Sequence, residues 1–193
     1  GYGSLTIEDT SHTVRHFKSY LPNNNTGAGA VLEKITDKFG NALNFTLDTY
    51  GRVTAIGVTP NGSTLIPYLT LTYNTSGCIA QIKNVATSHQ MTFSYSTTSD
   101  GSINVLNGGY LRRVSYSYNG TNTLWAAEYN YNSAGMLISA VNTTSKLGIH
   151  YDVNSVTKRV GVAYETGNGS NGQRISFIYG TDFTQVRSSG SDD

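Results

Sequence analysis

At 193 residues the chain has the length of one large domain or two small ones, and all-β and repeat architectures commonly use this length as a single unit. Its 21 Gly, 14 Tyr and low charged content of 13% supply strands and tight turns and leave helix formers scarce, while a net charge of +1 without a run of Lys or Arg excludes a surface that tracks nucleic-acid phosphates. No apolar stretch of about 18 residues is present to cross a membrane as a helix, and the single cysteine, Cys78, excludes an internal disulfide and reads as a small apolar filler.

In chain order, Gly1 to Ala30 is the least regular part. It opens without the charged and apolar regions of a signal peptide, and a leading Gly in place of Met is expected of a piece of a longer chain. His12 and His16 stand four residues apart in a segment that alternates as a strand, and Asn23-Asn24-Asn25-Thr26-Gly27 reads as an exposed loop. From about residue 30 to 180 period-two alternation recurs. Leu43 to Leu47, Leu69 to Tyr73, Met91 to Tyr95, Ala127 to Tyr131, Leu147 to Tyr151 and Ile175 to Tyr179 each read as a strand with one buried face.

A second element follows several of them: Gly, one residue, an aliphatic, two residues, and another apolar residue. Gly51 to Ile56, Gly77 to Ile82, Gly109 to Val114 and Gly135 to Ala140 fit it. Gly51, Gly77 and Gly135 each fall four residues after the end of the preceding strand, at Leu47, Tyr73 and Tyr131, which predicts a tight turn needing a positive φ. Polar connections such as Asp37 to Asn41, Pro60-Asn61-Gly62 and Asn119-Gly120 complete hairpins. Spacings of 26, 32 and 26 residues between Gly51, Gly77, Gly109 and Gly135 place the extra length in a loop at Ser96 to Asn107. The expected fold is all-β: tandem antiparallel β-hairpin repeats in a continuous twisted sheet or β-coil, with essentially no helix, as one repeat domain over residues 1–193 with a flexible tail at 188–193. Edge strands exposed at the ends of such an array favour self-association.

These residues resemble the YD-repeat, or rearrangement-hotspot (RHS), proteins and the wall-associated bacterial proteins built from them. Asp37-Lys38-Phe39-Gly40-Asn41 followed by Phe45-Thr46-Leu47-Asp48-Thr49-Tyr50-Gly51-Arg52-Val53 is the best single copy, and Tyr151-Asp152 is a literal Tyr-Asp pair. Elsewhere the pair relaxes to Leu47-Asp48, Tyr73-Asn74, Tyr95-Ser96, Tyr131-Asn132 and Tyr179-Gly180, and after Tyr151 the expected turn glycine is Ser155. The resemblance implies hairpins that spiral into a shell or stalk of a large secreted or cell-surface protein, in some members around a C-terminal toxin. The repeat-forming residues are then Gly51, Gly77, Gly109, Gly135, Tyr73, Tyr95, Tyr131, Tyr151 and Tyr179. The partners it implies are neighbouring repeats of the parent chain.

Chemistry is sparse. His12, His16, His89 and His150 form no ligand pattern, so no metal or other cofactor is expected; Ser, His and Asp occur without a nucleophile motif, so no catalysis is expected. Gly167 to Gly172 is glycine-rich but opens no helix and reads as a turn, and Asp37 and Asp48 read as turn caps in preference to calcium ligands. Sequons stand at Asn24, Asn44, Asn61, Asn74, Asn119, Asn142 and Asn168. Two functions compete. One is a scaffold without chemistry of its own; the other is a module that binds carbohydrate or cell-wall polymer through exposed rings, for which Tyr110, Tyr118 and Trp125 are the candidates.

Overall fold

The computed structural model describes residues 4–20, 29–61, 63–96, 109–167 and 172–189. The loop expected at Asn23 to Gly27, Gly62, nearly all of the Ser96 to Asn107 insertion, the centre of the Gly167 to Gly172 turn, and the sequons at Asn24 and Asn168 lie outside the described residues. All regular structure among the described residues is β-strand, as expected, and it falls into two compact units. The first comprises residues 1–73 and 81–90, the second residues 74–80 and 91–193.

In the first unit β1 (Leu5–Glu8), β2 (Val14–Tyr20), β3 (Gly29–Thr36), β4 (Ala42–Leu47), β5 (Val53–Thr59) and β6 (Ile66–Tyr73) each pair antiparallel with the next. β7 (Ile79–Asn84) and β8 (His89–Tyr95) are divided between the units. In the second unit β9 (Leu111–Tyr118), β10 (Asn122–Tyr131), β11 (Leu137–Asn142), β12 (Gly148–Val153), β13 (Val160–Thr166), β14 (Arg174–Tyr179) and β15 (Thr184–Ser189) form the same kind of meander. Ser188 and Ser189 thus belong to β15, paired with Ile175 and Arg174, and only 190–193 of the expected tail lies outside the described residues.

The sheet explains an awkward feature of the repeat. Two apolar residues three apart, such as Val53 and Ile56, would point to opposite faces of a regular strand. Bulges remove the conflict. Leu47 pairs with Val53 while Thr46 pairs with Ala55, so Thr54 is the extra residue, and Ile138 and Gly161 hold the same place in β11 and β13. Val53 and Ile56 therefore face the same way, opposite Leu47 and Phe45 of β4.

Turns are built from one side chain. After β1, β3, β4, β6 and β10 stand Asp9, Asp37, Asp48, Asn74 and Asn132, and the Oδ1 of each accepts the amides two and four residues on at 2.8–3.1 Å. The residue three positions on has a positive φ: Gly40, Gly51, Gly77 and Gly135, and at the first turn His12 (φ 62°). His12 is thus a turn residue and not part of a strand, and the irregular N-terminal segment carries a repeat-type turn. A longer variant follows β7, β11 and β12, where Asn84, Asn142 and Asn154 cap the amides two and three residues on and the left-handed residue comes fourth, at Ser88, Lys146 and Lys158. Tyr151-Asp152 therefore lies inside β12, the cap is Asn154, and the left-handed position expected at Ser155 is Lys158. Each extra turn residue shifts the motif without breaking the hairpin.

Lysine is a poor occupant of that conformation, which suits glycine. Lys158→Gly should raise stability by about 0.5–1 kcal/mol and Gly77→Ala should lower it by about 1 kcal/mol or more, opposite signs to be read from urea unfolding curves.

Candidate functional site

The feature that recurs is a junction where one hairpin closes. Among the described residues, four hairpins have Tyr as the last residue of their second strand, and its hydroxyl donates to the backbone carbonyl of the first residue of the first strand. The bonds run from Tyr73 to Val53 (2.7 Å), Tyr95 to Ile79 (2.8 Å), Tyr131 to Leu111 (3.0 Å) and Tyr179 to Val160 (2.9 Å). A carbonyl at the start of a strand is where the ladder leaves a backbone acceptor without a partner, and the phenol supplies one.

At three of the four, the residue just before the acceptor lies against the same ring. The Arg52 guanidinium sits 4.3 Å from the Tyr73 centroid, Arg159 4.9 Å from Tyr179, and Tyr110 stacks on Tyr131 at 4.7 Å. At Tyr95 the neighbour is Cys78, whose thiol, after burial, is the second influence raising the phenol pKa. Burial likewise raises the pKa of Tyr131, helped by Tyr129 and Tyr110 and opposed by Arg112. Both phenols therefore stay protonated, and remain donors, to higher pH than a free tyrosine. The stacking residues were not recognised from sequence; the signal was the cation or ring between the turn's left-handed residue and the aliphatic, 20–21 residues before Tyr73, Tyr131 and Tyr179.

Arg52 joins this lock to the preceding turn. Its Nε and Nη2 reach Asp48 Oδ2 at 2.8 and 2.7 Å, and its backbone amide is capped by Asp48 Oδ1. Desolvation pushes the Asp48 carboxyl up, but hydrogen bonds from the Arg52 amide, Arg52 side chain and Tyr50 amide outweigh it and hold its pKa below the ordinary value. The side chain of Asn41 is first in lowering that of Asp37, and the Ser11 hydroxyl in lowering that of Asp9.

Tyr110 is not brought together with the other two candidate ligand rings. Tyr110 belongs to the Tyr131 lock at the start of β9, and Tyr118 lies at the far end of that strand, about 26 Å away at ~3.3 Å per residue. Trp125 stacks on Tyr116 across β9 and β10 with centroids 6.3 Å apart. Tyr118 is 43% exposed beside the Asn119-Gly120 turn, whereas Tyr110 and Trp125 are half-buried. Of the histidines, His12 Nδ1 is 2.8 Å from Glu8 Oε1 and His16 Nε2 is 3.3 Å from Thr36 Oγ1, while His150 stands on a sheet face beside Tyr164 and Asp152. No group of three or more His, Cys, Asp or Glu is arranged for a metal among the described residues.

No known family profile matches the chain, and no curated protein matches it in sequence. Its fold does match solved structures. The crystal structure of TcdB2-TccC3-Cdc42 superimposes with a TM-score of 0.63 at 15% identity, covering 92% of this chain and 9% of that one. The Tc holotoxin pore of Photorhabdus luminescens, carrying a TccC3 point variant, gives 0.61 at 15% identity, with 91% and 9% covered. The chain thus has the fold of a segment of those toxin chains and spans about a tenth of their length.

Two measurements probe the junction. Tyr73→Phe should cost about 1 kcal/mol by leaving the Val53 carbonyl without its donor, and Tyr73→Ala about 2–3 kcal/mol by also removing the surface on which Arg52 rests. Because the pKa values of Asp9, Asp37 and Asp48 are lowered on folding, the stability they add is present above pH about 4 and is lost as pH falls through their folded values. Hydrogen exchange at decreasing pH should therefore show the Phe39, Tyr50 and Arg52 amides losing protection before those of Ala134 and Met136, which the neutral Asn132 caps.

Proposed function

We propose that this chain is a non-catalytic wall segment of an RHS-type shell, part of a large secreted or surface-displayed bacterial toxin protein that encloses an effector. The observation that carries this reading is the serial hairpin junction, with Tyr at the strand end, an Asx-capped turn and a stacked side chain, recurring along the described residues. Its support is twofold. The repeat spacing resembles the YD pattern, and the fold follows segments of Tc toxin chains over nine-tenths of this chain. A junction that closes one hairpin within itself can be repeated indefinitely, so length and enclosure come from copy number and not from a folded core. The partners are then the flanking repeats and, inside the wall, the effector.

Electron microscopy of the complete parent protein tests this. A hollow particle with this segment in its wall is expected; a solid globule, or this segment projecting as a separate appendage, would refute it.

A further inference from the structure

Two of the tyrosine junctions carry an arginine on the ring, and they differ in what the arginine holds. At Tyr73 the Arg52 guanidinium rests on the ring at 4.3 Å and turns its donors to a carboxylate, Asp48 Oδ2, at 2.7 and 2.8 Å. At Tyr179 the Arg159 guanidinium rests on the ring at 4.9 Å, but the turn before it is capped by Asn154, whose side chain carries no charge. Among the described residues the Arg159 side chain has neither a hydrogen bond nor an ion pair. A guanidinium stacked on a ring keeps its in-plane fork of N–H donors available, and that fork matches a carboxylate.

Arg159 lines an open cleft of about 530 Å³ beside the β14–β15 turn, together with Tyr179, Thr181, Asp182 and Phe183. Its apolar wall is set by the turn. The Gly180 amide donates to the Phe183 carbonyl at 2.9 Å, and the Phe183 ring lies where a Cβ on residue 180 would displace it. That ring is 62% exposed, so it has apolar surface to cover. Asp182 has no ion pair among the described residues. The cleft therefore sets one cation against one carboxylate: a single negative charge can settle on Arg159, whereas a dianion such as phosphate is also repelled by Asp182.

We propose that this cleft binds a monocarboxylate carried on a flat apolar body. The carboxylate takes the fork of Arg159, as Asp48 takes that of Arg52, and the apolar body lies against Phe183. Tyr179 already holds the guanidinium, so binding orders less of the arginine side chain than it would on a bare surface. A free aromatic acid and the terminal carboxylate of a peptide ending in an aromatic residue present this same chemistry. The site does not depend on the role of the parent chain.

Titration of the isotope-labelled 193-residue chain, followed by NMR, tests it. Benzoate should shift the Gly180, Asp182 and Phe183 amides with a Kd of about 1 mM or tighter, and benzamide, which has the ring without the charge, should not. Arg159→Gln should weaken benzoate binding at least about 10-fold. Asp182→Asn, which leaves the Tyr179 junction in place, should strengthen it, a gain that misfolding does not produce. N-acetylphenylalanine binding more tightly than benzoate assigns the site to a chain terminus, and the reverse order assigns it to a free acid. Absence of shifts at about 10 mM benzoate overturns the proposal. So do equal shifts with phosphate, no gain from Asp182→Asn, or equal shifts at the Tyr50 amide beside Arg52, the last marking a general attraction of carboxylates to guanidinium groups.

Discussion

The constraint on which this structure depends is that hairpins in series must be held where they meet, since few side chains are enclosed. Ala42, Val114, Ala126 and Ser117 are buried, and no large side chain is fully buried among the described residues. A globular domain of this size would draw most of its stability from a closed apolar core. Here apolar side chains are mostly half-exposed, so a larger share falls to the ends of the strands, where backbone groups would otherwise be left to water. The tyrosine hydroxyl and the Asx oxygen act at the same place for the same reason. One satisfies a carbonyl at a strand start, the other the amides of the adjoining turn.

That division also explains why the repeat can degenerate in sequence and persist in structure. The capping atom is an oxygen, so Asp and Asn are interchangeable as caps at Asp48, Asn74 and Asn132, and Asp alone adds an acid response and a second oxygen for a side chain such as Arg52. The stacked side chain needs a flat or polarizable group on the ring, a role filled by Arg52, Arg159 and Tyr110. Where the strand-ending Tyr is replaced by Leu47 or Val153 the turn survives, because its own hydrogen bonds close it. Loss of one element therefore loosens a junction without unpairing the strands.

Much of this was legible in the sequence. Alternation identified the strands, and the glycines at fixed distance after Leu47, Tyr73 and Tyr131 identified the turns, because a positive φ leaves a compositional trace whenever glycine supplies it. It leaves none when His12 or Lys158 adopts the same φ, and so the turn at Asp9 went unseen and the one after β12 was misplaced. The tyrosines stood out, but what they bond to did not. Their acceptors are backbone carbonyls, which have no sequence signature, and the stacked partners vary in type. Tyr110 is held apart from Tyr118 and Trp125, because a strand of eight residues carries its ends far apart.

Register was the least accessible level, and the division of side chains between the two sheet faces follows from it. Nothing local to Tyr129 or Glu165 relates them, for they are separated by two intervening strands and aligned only through three successive pairings. Each bulge shifts the alignment by one residue, so Ile138 and Gly161 decide which later side chains share a face. The bulge after the first residue of a strand keeps Val53 and Ile56 together toward one face, and the corresponding bulge in β11 does so for Leu137 and Ala140. A continuous face is thereby assembled from a motif whose three-residue apolar spacing contradicts a regular strand. The same irregularity that conceals the face in the sequence is what makes the face continuous.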